Sequence, residues 1–578
     1  MVGAKDAVSK PSAWISRVSF SGGDEFQFLP NHKVLIVGAN NSGKSKSLEE
    51  MAWLIDSGRE DHTRLVVHDL EVSKKGDTLE KYLKDHAKLV NDVYRLGDWQ
   101  VHMSHTVFWQ HNYLTNGLAR GFVRTVSAKD RLLICDQQKS IAPSDAPSKP
   151  QHILYQSDSL MTCVSAHFRR AFGSDLMFDF KGGSNLPIHV GSLPSHELKD
   201  RASDAYTNAV RSQPLLDKQG DGIRSYAGIL FETIVSGRDI NFIDEPEAFL
   251  HPPQMQKLGE TLAQHVAGQL FVATHSSDIL RGFLDGKRGE VRILRVRREG
   301  EVNKVFEAPQ DAVKELWEKP VLRYSNALEG IFHEQTILCE DHSDCRLFNS
   351  SADYLRARSD ALWKDTAYVP TGGKDAVKKV ASVLRRIGVP VKVILDFDFL
   401  SNGDSVKETF EAFGGAWDDV EALWKRLDAA VRGGVKVKSI PEIKEGIKDI
   451  IEKAEPDKLP RRDITEEMKQ TSPWAIVKKA GVLGLPRGEA QDTYSLLKEK
   501  LEDIGIYLVP VGEIENFCLN IGNHGPAFVT KLLSDVAMSD RRLSPLHEFV
   551  EHVHKGPHAK LESVGPLDLV QGSTDGAQ

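Results

Sequence analysis

The string Gly38-Ala39-Asn40-Asn41-Ser42-Gly43-Lys44-Ser45 follows an apolar run, Val34-Leu35-Ile36-Val37, and precedes a stretch of helical character. Its chemistry is that of a phosphate cradle for a nucleoside triphosphate. Glycines let backbone N–H groups wrap the phosphates, with Asn40, Asn41 and Ser42 in the loop, Lys44 reaching the β/γ oxygens and the Ser45 hydroxyl taking a Mg2+ position. Farther along, Asp239-Ile-Asn-Phe-Ile-Asp244-Glu245 reads as a strand ending in two adjacent carboxylates. Asp244 would hold Mg2+ through water, and Glu245 would orient or deprotonate the attacking water. A further apolar strand over residues 269–274 ends at His275, where an imidazole can touch a γ-phosphate.

These groups need a scaffold. Strands over 14–20 and 33–37 lead into the loop, and a helix over 47–55 follows, which is the opening of an α/β core. A segment from 58 to 205, mixed in character and broken by Pro/Ser-rich and Gly/Pro-rich stretches, reads as an insertion with loops. His102, His105 and His111 within it have irregular spacing and no full ligand set, so they are read as ordinary surface or core histidines.

The 578 residues suggest three or four domains, and the net charge of -8 gives no global basic signature, so any DNA contact must be local. The five cysteines are scattered without a C-x-x-C pair, which points to a reducing cytoplasm rather than structural zinc. No apolar stretch approaches bilayer length, so no membrane span is expected.

The strings GANNSGKS, GDGIRS, NFIDEPEAFLH and VATHSSDIL, in that order, resemble the ABC-type ATPases of the recombination and repair class. That resemblance implies a signature segment over Gly220 to Ser225, including Gly220, Gly222 and Arg224, meeting the γ-phosphate of a partner subunit in a head-to-head dimer. Taken alone, Gly-Asp-Gly is also ordinary turn chemistry. Gln110 is a candidate for the loop glutamine of such enzymes.

Past residue 330 a second acidic constellation appears. A strand over 335–339 runs into Glu340-Asp341-His342-Ser343-Asp344; Thr371-Gly372-Gly373-Lys374 opens a helix over 375–386; a strand over 391–395 leads to Asp396-Phe397-Asp398. Three strand ends would bring Glu340, Gly372/Gly373 and the Asp396/Asp398 pair to one edge of a parallel sheet, with hard oxygen ligands suited to Mg2+ or Mn2+. A capped helix for Glu340 and Asp344 and a turn for Asp-Phe-Asp are the structural alternatives.

The set resembles the Toprim domain of topoisomerases, primases and a group of nucleases, with Asp341 standing where that family usually has glycine. An ABC-type ATPase followed by Toprim is similar to the OLD (overcoming lysogenization defect) nucleases. The resemblance implies an α/β fold: an ABC-type ATPase head over 1–57 and 206–325 with residues 58–205 inserted, possibly for dimerisation, and a Toprim domain over 330–404 and 505–525. A helical insertion over 405–504 and a C-terminal segment over 526–578 complete it.

It further implies a homodimer or higher oligomer that binds ATP and Mg2+, or Mn2+ at the second site, and cuts DNA by two-metal chemistry. Glu340, Asp396 and Asp398 would hold the ions, with Asp344 and Glu513, taken before Glu515, completing the shells. Lys555 and Lys560 are candidates for a lysine near the scissile phosphate, a solvated basic loop being the alternative. An antiphage role, with a defence partner protein or nucleic acid, is an analogy from the family. The rival reading is a non-cutting, ATP-dependent DNA-maintenance or sensor protein with a degenerate Toprim domain. Basic pieces over 292–298, at Lys379/Arg385/Arg386 and over 458–462 could meet DNA, although the first also reads as a charge-protected edge strand.

Overall fold

The computed structural model describes residues 10–58, 64–76, 79–142, 145–192, 200–201, 203–323, 326–359, 363–455, 459–522 and 524–561. The chain divides into two compact units, one running to Glu318 and the other over Lys319–Glu562.

The first unit is built on a six-stranded sheet. Its order is Val302–Glu307, Arg292–Glu299, Lys33–Val37, Gln269–Ala273, Ile240–Asp244 and Val123–Val126. Every pair is parallel except the first. The central strands are buried throughout, as their near-continuous apolar sequence requires of a sheet covered on both faces. Val34, Ile36, Phe242 and Phe271 pack there with Leu48, Met51 and Leu54 of the helix Lys44–Ser57.

Segment 58–205 is not wholly external to this core. Val67–Lys75 pairs antiparallel with Ser12–Phe20, and Val123–Val126 adds the edge strand beside Ile240–Asp244. A four-residue strand with two polar positions, Val-Arg-Thr-Val, carries too little periodic signal to be seen in sequence. The basic strand Arg292–Glu299 is likewise no edge, because Val302–Glu307 covers it.

The second unit centres on four parallel strands ordered Thr366–Pro370, Gln335–Cys339, Val391–Leu395 and Ile506–Leu508. Residues between the last two strands form a run of helices from Gly403–Ala412 to Glu489–Glu502. The fold class is therefore α/β in both units, with segments inserted in the first and a helical insertion in the second sheet.

The C-terminal helix Ser544–Lys555 packs Val550 and Val553 against the second sheet's core. It brings His554 in beside Tyr368, whose Oη lies 2.7 Å from the imidazole Nε2. Burial holds His554 well below its ordinary value, at about 4, with Lys392 adding to the shift. The unfolded chain therefore binds a proton between pH 6.5 and 4 that the folded chain refuses, so stability falls as pH drops through that window, by up to about 3 kcal/mol from this residue. Thermal unfolding at pH 7 and pH 5 checks this: His554→Gln should lose less stability on acidification than the wild type.

Candidate functional site

The register of the first sheet places Asp244 beside Ala273, and Ala273 beside Ile36, so the phosphate loop, the Asp244-Glu245 turn and His275 all leave the sheet at the same end. Gly38 has φ 142°, and a Cβ there would lie 2.3 Å from the Val296 carbonyl oxygen; only glycine fits. Asn41 takes a left-handed φ of 61° and Gly43 one of 100°, closing the loop onto the N-terminus of Lys44–Ser57, whose amides face an incoming anion. Lys44 is buried, and its Nζ donates to the loop carbonyls of Gly38 (3.0 Å) and Ala39 (2.8 Å). The loop's Ser42 is buried and its carbonyl accepts from Asn303, whereas Asn40 is exposed.

The Ser45 hydroxyl acts on the Asp244 carboxylate, lowering its pKa against the effect of burial, so the two groups are neighbours. Burial raises the Asp244 pKa, and its Oδ1 is buried without a partner among the described residues, which fits a cation site. Glu245 is about half exposed, and its Oε1 lies 3.6 Å from His275 Nδ1. Sequence reading passed over Glu247. This buried carboxylate accepts from Thr274 Oγ1 and the His275 amide, both at 2.8 Å, and its Oε1 stands 3.1 Å from His275 Nδ1, fixing where His275 points.

Gly220 caps the helix Asp221–Leu230. Gly222 approaches the Phe249 carbonyl so closely that a Cβ would lie 2.6 Å from it. Arg224 turns inward, donating to the Leu132 carbonyl at 2.9 Å and pairing with Asp136. Gln110 is exposed at the end of the turn Met103–Gln110.

In the second unit the strand ends converge. Glu340 follows Gln335–Cys339; its carbonyl accepts from the Gly372 and Gly373 amides, each at 3.0 Å, and its Oε1 lies 3.5 Å from the Asp396 amide. Lys374 contacts Asp398 and stands 4.0 Å from Glu340. Lys478 lies 2.8 Å from Asp396 and 3.4 Å from Asp398. The three carboxylate side chains are each about a quarter exposed (23%, 24% and 29%), enough to admit an ion and too little to be screened by water.

Electrostatics reflect this crowding. Burial pushes Glu340 up to about 7, Lys374 opposing and the two aspartates adding to it. Burial, then Asp341 and Asp396, push Asp344 up to about 8. Burial also raises Asp396 against the pull of Lys478. Asp398 falls below the usual range, because Lys478 and Lys374 together outweigh its burial. Asp341 is an N-cap: its carboxylate accepts from the Ser343 amide at 2.6 Å while Asp344 returns the bond to the Asp341 amide.

Glu513 lies past Ile506–Leu508 and feels the charges of Glu515, Lys478 and Asp396, burial raising its pKa most. Glu513, Glu515 and His524 bring three donor atoms within 4.8 Å of one another. Lys555 pairs with Glu551 on its own helix, and Lys560 is exposed, its carbonyl accepting from Arg385. Four of the basic residues are engaged: Arg292 pairs with Glu307, Arg295 is buried, Arg297 lies 3.5 Å from Glu299, and Arg385 is held by main-chain carbonyls. Lys458 lies outside the described residues.

Lys478 is another residue that no sequence signal singles out. It ends the short helix Pro473–Lys478, in the helical insertion, and no motif marks it. The only available hint is Gly512, at φ 99°, where a Cβ would lie 1.7 Å from the Lys478 carbonyl oxygen.

Residues 331–398 match the family described as "Overcoming lysogenization defect protein-like, TOPRIM domain", and residues 194–281 match "AAA domain, putative AbiEii toxin, Type IV TA system". A 170-residue stretch is 25% identical to the "Old nuclease" of Escherichia phage P2. Over these stretches the chain is similar to OLD-family proteins. The stretch shared with the phage relative covers 28% of this chain and 28% of that protein.

Solved structures similar to this chain include an Smc head domain from Pyrococcus furiosus (11% identity, 53% of this chain and 99% of that one, TM-score 0.31). The SMC head domain from Thermotoga maritima is another (11%, 51% and 99%, TM-score 0.26). Among the described residues no helix is long and apolar enough to cross a membrane.

The ion pairs of Lys478 give a direct expectation. Lys478→Met leaves Asp396 and Asp398 facing each other with one cation fewer, and should cost the metal-free protein about 1–3 kcal/mol. Thermal unfolding with and without Mn2+ checks it: Mn2+ should raise the midpoint of the variant more than that of the wild type.

Proposed function

We propose that this chain is an ATP-hydrolysing, divalent-metal-dependent DNA endonuclease working as a homodimer or higher oligomer. The observation that carries the reading is the gathering of Glu340, Asp396 and Asp398 at one sheet end, with Glu513 within electrostatic reach. The donor set is all carboxylate oxygen, which suits Mg2+ or Mn2+. Such ions supply Lewis-acid activation of water and of the departing oxygen in phosphodiester cleavage.

The chain's own residues divide the remaining work. Asp396, Asp398 and Glu340 bind, with Asp344 and Glu513 at the margin. Lys374 and Lys478 hold positive charge where a phosphate's non-bridging oxygens would lie. In the first unit Lys44 and the loop amides bind the triphosphate, Ser45 and Asp244 take Mg2+, Glu245 orients water and His275 meets the γ-phosphate. Gly220, Gly222 and Arg224 belong to the signature segment, and Arg224 acts by holding that helix to its own subunit. The head spans 1–57 and 206–325 with strands of 58–205 built into it, and the Toprim domain spans 330–404 and 505–525. A cytoplasmic antiphage role extends this reading by analogy with the family.

The same ion pairs favour a second reading. Two lysines bridging the aspartates resemble a site closed to metal, as in a non-cutting sensor or DNA-maintenance ATPase.

A plasmid-nicking assay with Mg2+ or Mn2+ separates the two. Asp396→Ala should lower cutting by about a hundredfold or more and leave ATP turnover intact, while Lys44→Ala should abolish turnover. Cutting that needs no metal, or that survives Asp396→Ala, removes the endonuclease.

A further inference from the structure

Arg131 is a fully buried arginine in the helix Asp130–Leu133, a stretch to which no sequence motif draws attention. Its Nη2 donates to the Glu245 carbonyl at 2.9 Å, and its Nη1 lies 3.5 Å from the Asp244 carbonyl. The held turn is unusual: Glu245 takes φ 44°, a left-handed conformation that residues with a Cβ rarely adopt. The other side of the same helix rests on the signature helix Asp221–Leu230. A Cβ on Gly228 would lie 1.8 Å from the Arg131 carbonyl oxygen, Arg224 donates to the Leu132 carbonyl, and Cys135 Sγ reaches the Arg224 carbonyl at 3.1 Å. One short helix thus touches both the turn that carries Glu245 and the helix that carries the signature segment.

We propose that Arg131 is a positioning residue for ATP hydrolysis: its guanidinium fork fixes the Asp244-Glu245 peptide, aims the Glu245 carboxylate, and ties that aim to the seating of the signature helix. The proposal rests on the reading of Glu245 as the residue that orients water. A planar guanidinium reaches two successive carbonyls at once, whereas an ammonium on a flexible stem serves as a point donor. Burial lowers the Arg131 pKa, and the negative charges of Glu247, Asp244 and Glu245 oppose that shift; Glu247 is itself buried, with an Oε2 without a partner among the described residues.

The test is steady-state ATP turnover, with nucleotide affinity read by a fluorescent ATP analogue and folding by thermal unfolding. Arg131→Met should lower kcat about tenfold or more while KM and analogue affinity change by less than about twofold, and Arg131→Lys should recover part of kcat. Because Arg131→Met leaves Glu247 buried without its opposite charge, the double variant Arg131→Met/Glu247→Gln is measured beside Glu247→Gln alone. The double variant should unfold at the temperature of Glu247→Gln and still turn over about tenfold more slowly than it. Wild-type kcat in Arg131→Met, or a double variant as fast as Glu247→Gln alone, overturns the proposal. Glu245→Gln is the control on the underlying reading: unchanged turnover there removes Glu245 from hydrolysis, whatever Arg131 does.

Discussion

Carboxylates crowded at the open end of a parallel sheet repel one another, and the second unit is organised by how that repulsion is met. Two unit charges 4 Å apart interact by about 4 kcal/mol at an effective dielectric near 20. Glu340, Asp396 and Asp398 stand in such a setting because successive parallel strands deliver their ends to one edge. Two ammonium groups answer, Lys374 from the helix start after Gly373 and Lys478 from the insertion. Asp398 touches both and ionises more readily than usual, whereas burial pushes Glu340 up to about 7 against the pull of Lys374. A divalent ion would relieve the same repulsion, so the force that costs the fold stability would also favour the ion's binding.

The first unit meets the same problem with a different distribution of charge. Asp244, Glu245 and Glu247 lie within four residues, and the cations facing them, Lys44 and Arg131, are buried. Lys44 is supported by carbonyls of its own loop and Arg131 by carbonyls of the acidic turn. Main-chain oxygens therefore share the desolvation of both cations.

What could be read from sequence follows from how local each signal is. Gly38 to Ser45 and Glu340, Asp396 and Asp398 sit directly after runs of buried apolar residues, so strand and site announce each other. Glu247 lies beside the recognised pair, but its work depends on Thr274 and His275, brought alongside only by strand pairing. Val123–Val126 was concealed by its own brevity, and Arg131 by lying in a segment taken for an insertion. The arginines of 292–298 read in sequence as a DNA contact or a charge-protected edge strand, because charge density is visible there while the strand that covers it, Val302–Glu307, is not visible as its partner.

Lys478 shows why the helical insertion is no mere appendage to the sheet. The helix that ends at Lys478 has six residues, far too few to be stable alone. Its place is set by burial of Trp474 and Val477, by the Trp474 indole donating to Asp428 at 2.8 Å, and by two backbone approaches. Gly512 admits the Lys478 carbonyl, and Gly481, at φ 59°, admits the Pro510 carbonyl. A side chain at either glycine would hold the helix off the segment that follows the last strand. The position of one ammonium over the Asp396/Asp398 pair thus depends on glycines in two different parts of the sequence, and the insertion must be folded for the site to have its charge balance.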